Sequence, residues 1–397
     1  MSREVVRKGF GLKKEVEGDL SRDYGSELVR YARERGYELQ VGDVTLRIAK
    51  EFGFCYGVER AVDYAYETRV KFPDRRLFIT GEIIHNPRVN NRLRELEFQF
   101  LDGTYDSQVG IDALVPEDIV LLPAFGVPTD VMERLRATGC LLVDTTCGSV
   151  LAVWKNVERY ARDGFTCLIH GKWKHEETRA TASRAMLYPE GRYLVVLDLD
   201  EAEAVADYIE HGGDRGAFLD RFRHACSPDF DPDQHLGRIG MANQTTMLSS
   251  ESLRIAGLIG RAMIARHGID DARQRFRSFD TICSATQDRQ DAVHALIETP
   301  PDVAIVIGGF NSSNTGHLAE ICAERCPTYH VEGPDDLLDL TRIRHQPVGS
   351  KVPAIDENWL PQGAVDIGLT AGASTPDREI GRVMARLLEL RGLSLPA

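Results

Sequence analysis

The amino-acid sequence predicts an α/β protein of three similar lobes with mostly parallel sheets. Three observations carry this. From Val44 onward, short continuous apolar runs alternate with helical patterns, the signature of strands buried on both faces beneath covering helices. Three distant cysteines each sit where such a run hands over to a helix: Cys55 in Gly53-Phe-Cys-Tyr-Gly57, Cys147 in Asp144-Thr-Thr-Cys-Gly148, and Cys283 in Asp280-Thr-Ile-Cys-Ser-Ala-Thr286. A length of 397 residues is long for one core and suits two or three lobes.

In chain order, residues 1–43 are charged and irregular, with a helix over Ser26–Arg35 stopped by Gly36, and read as an N-terminal arm. The first lobe spans 44–147 and carries Cys55; it holds strands at Leu77–Thr80 and Ile119–Pro123 and helices at Pro87–Leu96 and Pro128–Thr138. Pro at a helix start and Gly139 after its end are the expected boundary residues. The strand Leu141–Asp144 leads to Cys147 at the junction with the second lobe, 148–282, whose strands are Thr166–His170, Leu194–Leu197 and Ile239–Ala242. The third lobe, 283–397, starts at Cys283, holds strands at Val303–Ile307 and Val365–Thr370, and closes with a C-terminal helix. Residues 211–235 and 344–363, rich in Gly, Pro, Asp and His, read as loops.

The composition, 43% hydrophobic and 27% charged, is that of a soluble globular protein. A net charge of −13 excludes a general nucleic-acid surface, which needs clustered Lys and Arg, but leaves room for a small anion in a locally positive cleft. The apolar runs are strand-sized, too short for a bilayer, and the N-terminus lacks a signal-peptide layout. The expected compartment is cytoplasmic, without nucleic-acid or membrane partners.

Eight cysteines in such a chain do not make a disulfide framework. Cys140 and Cys167 lie in strand-like runs as small apolar side chains; Cys322 and Cys326, four apart on a helix, and Cys226, in a loop, carry no metal signal. Cys55, Cys147 and Cys283 differ because helical patterns follow each, over Val58–Val70, Val150–Arg162 and Asp288–Glu298. A helix N-terminus lowers a thiol pKa from its usual value of about 8.5 toward the thiolate that binds metal. Structural zinc sites use ligands paired at short spacing, which is missing here, so three isolated soft ligands favour an iron–sulfur cluster.

Polar turns lie at other strand ends. Asn311-Ser-Ser-Asn-Thr-Gly316 follows Val303–Ile307, and Thr370-Ala-Gly-Ala-Ser-Thr-Pro376 opens the last helix. Hydroxyls, amides and backbone N–H groups at helix starts form anion sites without Lys or Arg, although plain N-capping uses the same residues. His85 and His175 occupy similar positions, Glu177 follows in His-Glu-Glu-Thr178, and Gln244-Thr-Thr246 follows Ile239–Ala242, able to relay a proton or hold a hydroxyl. Open α/β sheets bind ligands at these strand ends.

Together the motifs resemble the LytB/IspH family of 4-hydroxy-3-methylbut-2-enyl diphosphate reductases. The matches are Gly-Phe-Cys-Tyr-Gly-Val-Glu-Arg-Ala (53–61), Ile-Ile-His-Asn (83–86), Asp-Thr-Thr-Cys (144–147), His-Glu-Glu-Thr (175–178) and Asn-Gln-Thr-Thr (243–246). They continue with Thr-Ile-Cys-Ser-Ala-Thr-Gln-Asp-Arg-Gln (281–290), Asn-Ser-Ser-Asn (311–314) and Thr-Ala-Gly-Ala-Ser-Thr-Pro (370–376), in family order over about 50–390. The resemblance implies a pseudo-threefold trefoil around a central [4Fe-4S] cluster, held by Cys55, Cys147 and Cys283 with one iron site open. It implies that His85, His175, Ser312, Ser313, Asn314 and Ser374 bind an allylic diphosphate, and that Glu177 is the proton donor, working with Thr245. The implied reaction removes the substrate hydroxyl as water, with electrons from a donor such as ferredoxin or flavodoxin.

Two residues depart from the pattern. Phe125, in Pro123-Ala-Phe-Gly-Val127, stands where many bacterial members have a histidine, so no phosphate contact is expected there. Gly148 replaces the proline that usually follows the second cysteine. Phe125, the N-terminal arm and Ile-His-Gly-Lys (169–172) resemble the plant and cyanobacterial branch. Rival readings are a cysteine-nucleophile hydrolase or amidotransferase using Cys147 and His175, which leaves Cys55 and Cys283 idle, and a non-catalytic iron–sulfur protein.

Overall fold

Fully buried central strands, such as Thr166–His170 and Val303–Ile307, anchor the larger sheets of the computed structural model, which describes residues 5–101, 103, 105, 107–279 and 282–394. Asp280 and Thr281, which begin the third cysteine motif, lie outside the described residues. The chain forms two units, one of Met1–Val6 and Phe100–Cys283, the other of Arg7–Gln99 and Ser284–Ala397.

The first unit contains two parallel arrays. In one, Leu141–Asp144 lies between Ile119–Leu122 and the short strand Val5–Val6 from the N-terminal arm. In the other, the order is Phe276–Ser278, Ile239–Asn243, Thr166–His170 and Arg192–Val196, all parallel. Every residue of Thr166–His170 and Ile239–Asn243 is buried, as expected for strands with helices on both faces. Their core joins Leu168, Ile169, Met241, Tyr160 and the helix faces of Ile255, Ile259 and Val205. The register pairs Asn243 with His170, so the two strands end side by side. The turns that leave these two strands are thereby delivered to one sheet edge.

The second unit holds a five-stranded sheet ordered Thr328–Val331, Val303–Ile307, Val365–Ala371, Val44–Ile48 and Glu38–Val41. All neighbours are parallel except the edge pair Glu38–Val41 with Val44–Ile48, which are joined by a tight turn at Gly42. Such a short connection permits only antiparallel pairing. Ile307 pairs with Ala371 and Leu369 with Ile48, aligning three strand ends. A hairpin of Arg342–His345 and Ala354–Glu357, and the strand Leu77–Ile79, also belong to this unit.

Several sequence expectations need adjustment. Val44–Ile48, expected to open the first lobe, pairs with Val365–Leu369 from the third, so sheet membership cuts across the segment boundaries at 147 and 283. The arm is not irregular: besides Val5–Val6 and Glu38–Val41 it forms helices Lys13–Tyr24 and Glu27–Glu34, the latter capped by Ser26. The segment 211–235 contains the helix Arg215–Phe222, capped by Asp214, and 344–363 contains the hairpin's second strand. Among the described residues no helix is long and apolar enough to cross a membrane.

Candidate active site

The parallel register of the first unit determines one group of side chains. Thr166–His170 runs through Gly171 to His175, the N-cap of the helix Glu176–Ala185. Beside it, Ile239–Asn243 runs into Gln244 and Thr245. The close approach requires Gly171, because a Cβ there would lie 2.9 Å from both Gln244 Cβ and Thr178 Oγ1. Gln244 is fully buried; its Oε1 accepts from the Lys172 N–H and the Thr178 hydroxyl, each at 3.1 Å, and its Nε2 donates to Thr246 Oγ1 at 2.7 Å. The side chain therefore fastens the two strand ends together.

Glu177 and Thr245 form a buried pair on this scaffold. The Thr245 N–H donates to Glu177 Oε1 at 2.6 Å and its hydroxyl to Oε2 at 3.0 Å, with the two residues 5% and 2% exposed, Thr245 first. The Thr245 carbonyl faces the Cys283 N–H at 3.5 Å, so the third cysteine turn begins beside the carboxylate. His175 Nδ1 accepts the Glu177 N–H at 3.1 Å, which places the proton of the neutral ring on Nε2. In that tautomer His175 offers Nε2–H as a donor. Phe125 packs edge-on against the His175 ring at 6.3 Å between centroids. Its contribution is packing, as its apolar ring implies.

Cys147 is the N-cap of Gly148–Arg162, and its thiol makes no capping bond. Its turn is held from behind: Cys147 N–H donates to Ala124 O at 2.7 Å, Thr145 Oγ1 to Leu122 O at 2.6 Å, and Thr146 N–H to Asp144 Oδ1 at 3.0 Å. Gly148 is exposed and would admit a Cβ without contact, so the departure from proline costs the turn no packing.

The second unit assembles the other predicted residues around Ala373. Cys55 is the N-cap of Tyr56–Lys71, and its N–H donates to Ala373 O at 3.2 Å. The Ala373 N–H donates to Asn314 Oδ1 at 2.9 Å. Asn86, which caps Pro87–Glu95, donates from Nδ2 to Ser374 O at 2.9 Å. His85, half-buried, is oriented by Glu82 at 2.9 Å from Nδ1, and Glu82 also accepts from Asn311 Nδ2 at 2.8 Å. Ser312, Ser313 and Asn314 are all buried at the start of the helix Ser313–Ala323. Ser312 Oγ accepts from Thr315 N–H and Thr315 Oγ1, which leaves its own proton to donate. Asn314 Nδ2 is buried without a hydrogen-bond partner among the described residues. A buried, unsatisfied donor beside a helix N-terminus is an anion-binding arrangement. Sequence reasoning missed Asn86, whose side-chain amide holds the Ser374 carbonyl, and Ala373, which acts through its own backbone groups.

Two groups of thiols contrast. Burial pushes Cys167 up to about 12 and also raises Cys140 and Cys322, keeping them protonated and inert. Cys55, Cys147 and Cys283 are only partly buried and sit at helix starts. That donor set, soft thiols at positive helix ends, fits an iron–sulfur cluster.

The profile of the family described as LytB protein matches residues 46–388. A 4-hydroxy-3-methylbut-2-enyl diphosphate reductase from Gloeobacter violaceus is 51% identical over 396 residues, covering 99% of this chain and 94% of that protein. The reductase of the same name from Thermosynechococcus vestitus is 49% identical over 397 residues, covering 99% and 96%. Among solved structures, (E)-4-hydroxy-3-methyl-but-2-enyl diphosphate reductase, described as the terminal enzyme of the non-mevalonate pathway, aligns with TM-score 0.53 and 29% identity over 88% of this chain and all (100%) of that one. The E-1-hydroxy-2-methyl-but-2-enyl-4-diphosphate reductase of Plasmodium falciparum aligns with TM-score 0.61 over 86% and 87% at 21% identity, a likeness of fold.

Proposed function

The chain belongs to the LytB family of 4-hydroxy-3-methylbut-2-enyl diphosphate reductases, and on that premise we propose that Cys55, Cys147 and Cys283 hold its iron–sulfur centre while Glu177 and Thr245 handle the proton. The enzyme is an iron–sulfur oxidoreductase that converts (E)-4-hydroxy-3-methylbut-2-enyl diphosphate to isopentenyl and dimethylallyl diphosphate, the last step of the non-mevalonate pathway. Two electrons and two protons enter; the allylic C–O bond breaks, the oxygen leaves as water, and one proton ends on carbon.

The centre is read as a [4Fe-4S] cluster with three thiolate ligands and one open iron site, within the three-lobe trefoil. When bound, it supplies the electrons and a Lewis-acid position. The chain's own residues do the rest. Ser312, Ser313, Asn314 and Ser374, with His85 and the Nε2–H of His175, hold the diphosphate; the unsatisfied Asn314 amide and the unused Ser312 proton support this. Once protonated, Glu177 would reverse the Thr245 hydroxyl bond, donating from Oε2 to Thr245 Oγ1, whose own proton then passes to the departing hydroxyl. The observation that carries the assignment is the buried Glu177–Thr245 pair beside the Cys283 turn. A carboxyl so placed holds a proton away from bulk water until it is needed.

A reductant must supply the electrons, and ferredoxin or flavodoxin is the proposed donor class, in a cytoplasmic setting where thiols stay reduced. Anaerobic purification tests the reading. The enzyme is expected to be brown, with iron and sulfide, and to reduce the substrate with a chemical electron donor. A colourless protein lacking both elements would reject the cluster and its ligands together.

A further inference from the structure

Arg289 lies on the helix Ser284–Leu296 that comes after the third cysteine, and it is 4% exposed. Its guanidinium donates from Nη1 to Ala285 O and from Nη2 to Gly53 O, each at 2.7 Å. Its Nε is buried without a partner, and among the described residues no carboxylate pairs with it. Other part-buried arginines of this unit are neutralised: Arg47 by Asp366, Arg88 by Glu379 and Arg92 by Asp23. Burying an unpaired cation is costly, so a compensating anion is expected near it.

The acceptor lies in the Cys55 turn. Gly53 precedes Cys55 by two residues and has φ of +77°, the left-handed region that suits glycine. A Cβ there would come within 3.1 Å of Asp377 Oδ1 and 3.3 Å of Thr375 O, so the turn is closely packed as well as left-handed. Arg289 thus grips the peptide that aims Cys55 from the helix that begins at the third cysteine motif.

We propose that Arg289 is a positioning residue for the iron–sulfur centre: it locks the Cys55 turn, and its unpaired charge offsets the negative charge of the thiolate-bound cluster. This rests on the assignment of Cys55 as a ligand. A fixed cation in a low-dielectric interior stabilises the more negative, reduced form and so raises the reduction potential. Arg289 touches no reacting atom; it acts through the ligand loop and the local field.

The test uses full-length enzyme, purified anaerobically, as wild type, Arg289→Gln and Arg289→Lys. Iron and sulfide content, the rate of iron loss to a chelator, and the midpoint potential by redox titration are measured, with circular dichroism to monitor folding. In Arg289→Gln the one-electron equilibrium is expected to shift at least tenfold toward the oxidised form, about 59 mV lower, and iron to leave at least tenfold faster. Arg289→Lys keeps the charge but cannot span both carbonyls, so its potential should stay near wild type while its iron loss accelerates. Wild-type potential and iron retention in folded Arg289→Gln overturns the proposal. If that variant does not fold, wild-type iron retention in Arg289→Lys overturns the positioning role. A wild-type protein without iron and sulfide rejects the cluster reading itself, whereas a loaded wild type with indistinguishable variants rejects only Arg289.

Discussion

The Glu177 carboxylate receives both hydrogen-bond donors of Thr245, the backbone N–H at one oxygen and the hydroxyl at the other. The first bond fixes the carboxyl and the second connects it to an atom able to pass a proton onward. Glu177→Gln preserves shape and the bond from the Thr245 N–H, and its NH2 can donate to a Thr245 hydroxyl turned to accept, but it has no carboxyl proton to give. It is expected to lower kcat by about 100-fold or more, with iron content and substrate affinity retained. Near-normal turnover in a fully loaded variant would remove Glu177 from the proton path.

Thr245→Val tests the relay from the other side. It keeps the backbone bond to Oε1 and deletes the hydroxyl, leaving one buried carboxylate oxygen without that partner. The expected result is a loss of about 1–3 kcal/mol in stability and a kcat fall that Thr245→Ser recovers. If Val and Ser variants turn over equally, the hydroxyl carries no proton.

Asn314→Asp is nearly isosteric and can still accept from Ala373 N–H, but it replaces the unsatisfied amide with a negative oxygen. Repulsion of the diphosphate should raise KM at least about tenfold, equivalent to roughly 1.4 kcal/mol, with a smaller effect on kcat. An unchanged KM would take Asn314 out of the binding site.

Alkylation of cluster-free protein at neutral pH should separate the thiols. Cys55, Cys147 and Cys283 are expected to label ahead of Cys167 and Cys322, which burial keeps protonated. Peptide mass mapping reads the order, and early labelling of Cys167 would contradict its sealed position. In parallel, Cys283→Ser should lose cluster retention; wild-type iron and sulfide would rule out that ligand.

His330 provides a pH dependence. Burial depresses it from 6.5 to about 4, and its Nε2–H bonds to Gly308 O at 3.0 Å. The folded protein therefore binds this proton less readily than the unfolded chain. The stabilisation is present above about pH 6.5 and is lost as pH falls toward about 4, amounting to about 3 kcal/mol at most. Urea unfolding of wild type beside His330→Gln should show the gap between them narrowing through that window. A constant gap would mean that His330 does not titrate on unfolding.

How much was legible depended on whether a feature is local. Val303–Ile307, Thr166–His170 and Leu141–Asp144 were readable because continuous apolar runs between turn residues leave few alternatives. Helix Lys13–Tyr24 was not, since only Val16 on it is buried and most of its face is charged. The pairing of Val44–Ile48 with Val365–Leu369 joins residues far apart in the chain, and neither strand's pattern names its partner. The same limit applied to the site. Cysteines, serines and Glu177 announce themselves by type, while Arg289, Asn86 and Ala373 work through carbonyls and N–H groups that every residue possesses.

One peptide neighbourhood then joins two tasks. Ala373 offers its N–H to the side chain proposed to grasp the diphosphate and its carbonyl to the backbone of Cys55. The two groups belong to the two peptide planes that meet at the Ala373 Cα, so the sites they serve are joined through one residue. With Asn314 on the anion and Cys55 on the cluster, as proposed, occupancy of the one and aim of the other would be linked through that residue. A substrate that fits badly at its phosphate end would be felt as slack at the metal, and selection for the right headgroup would be enforced at the electron source.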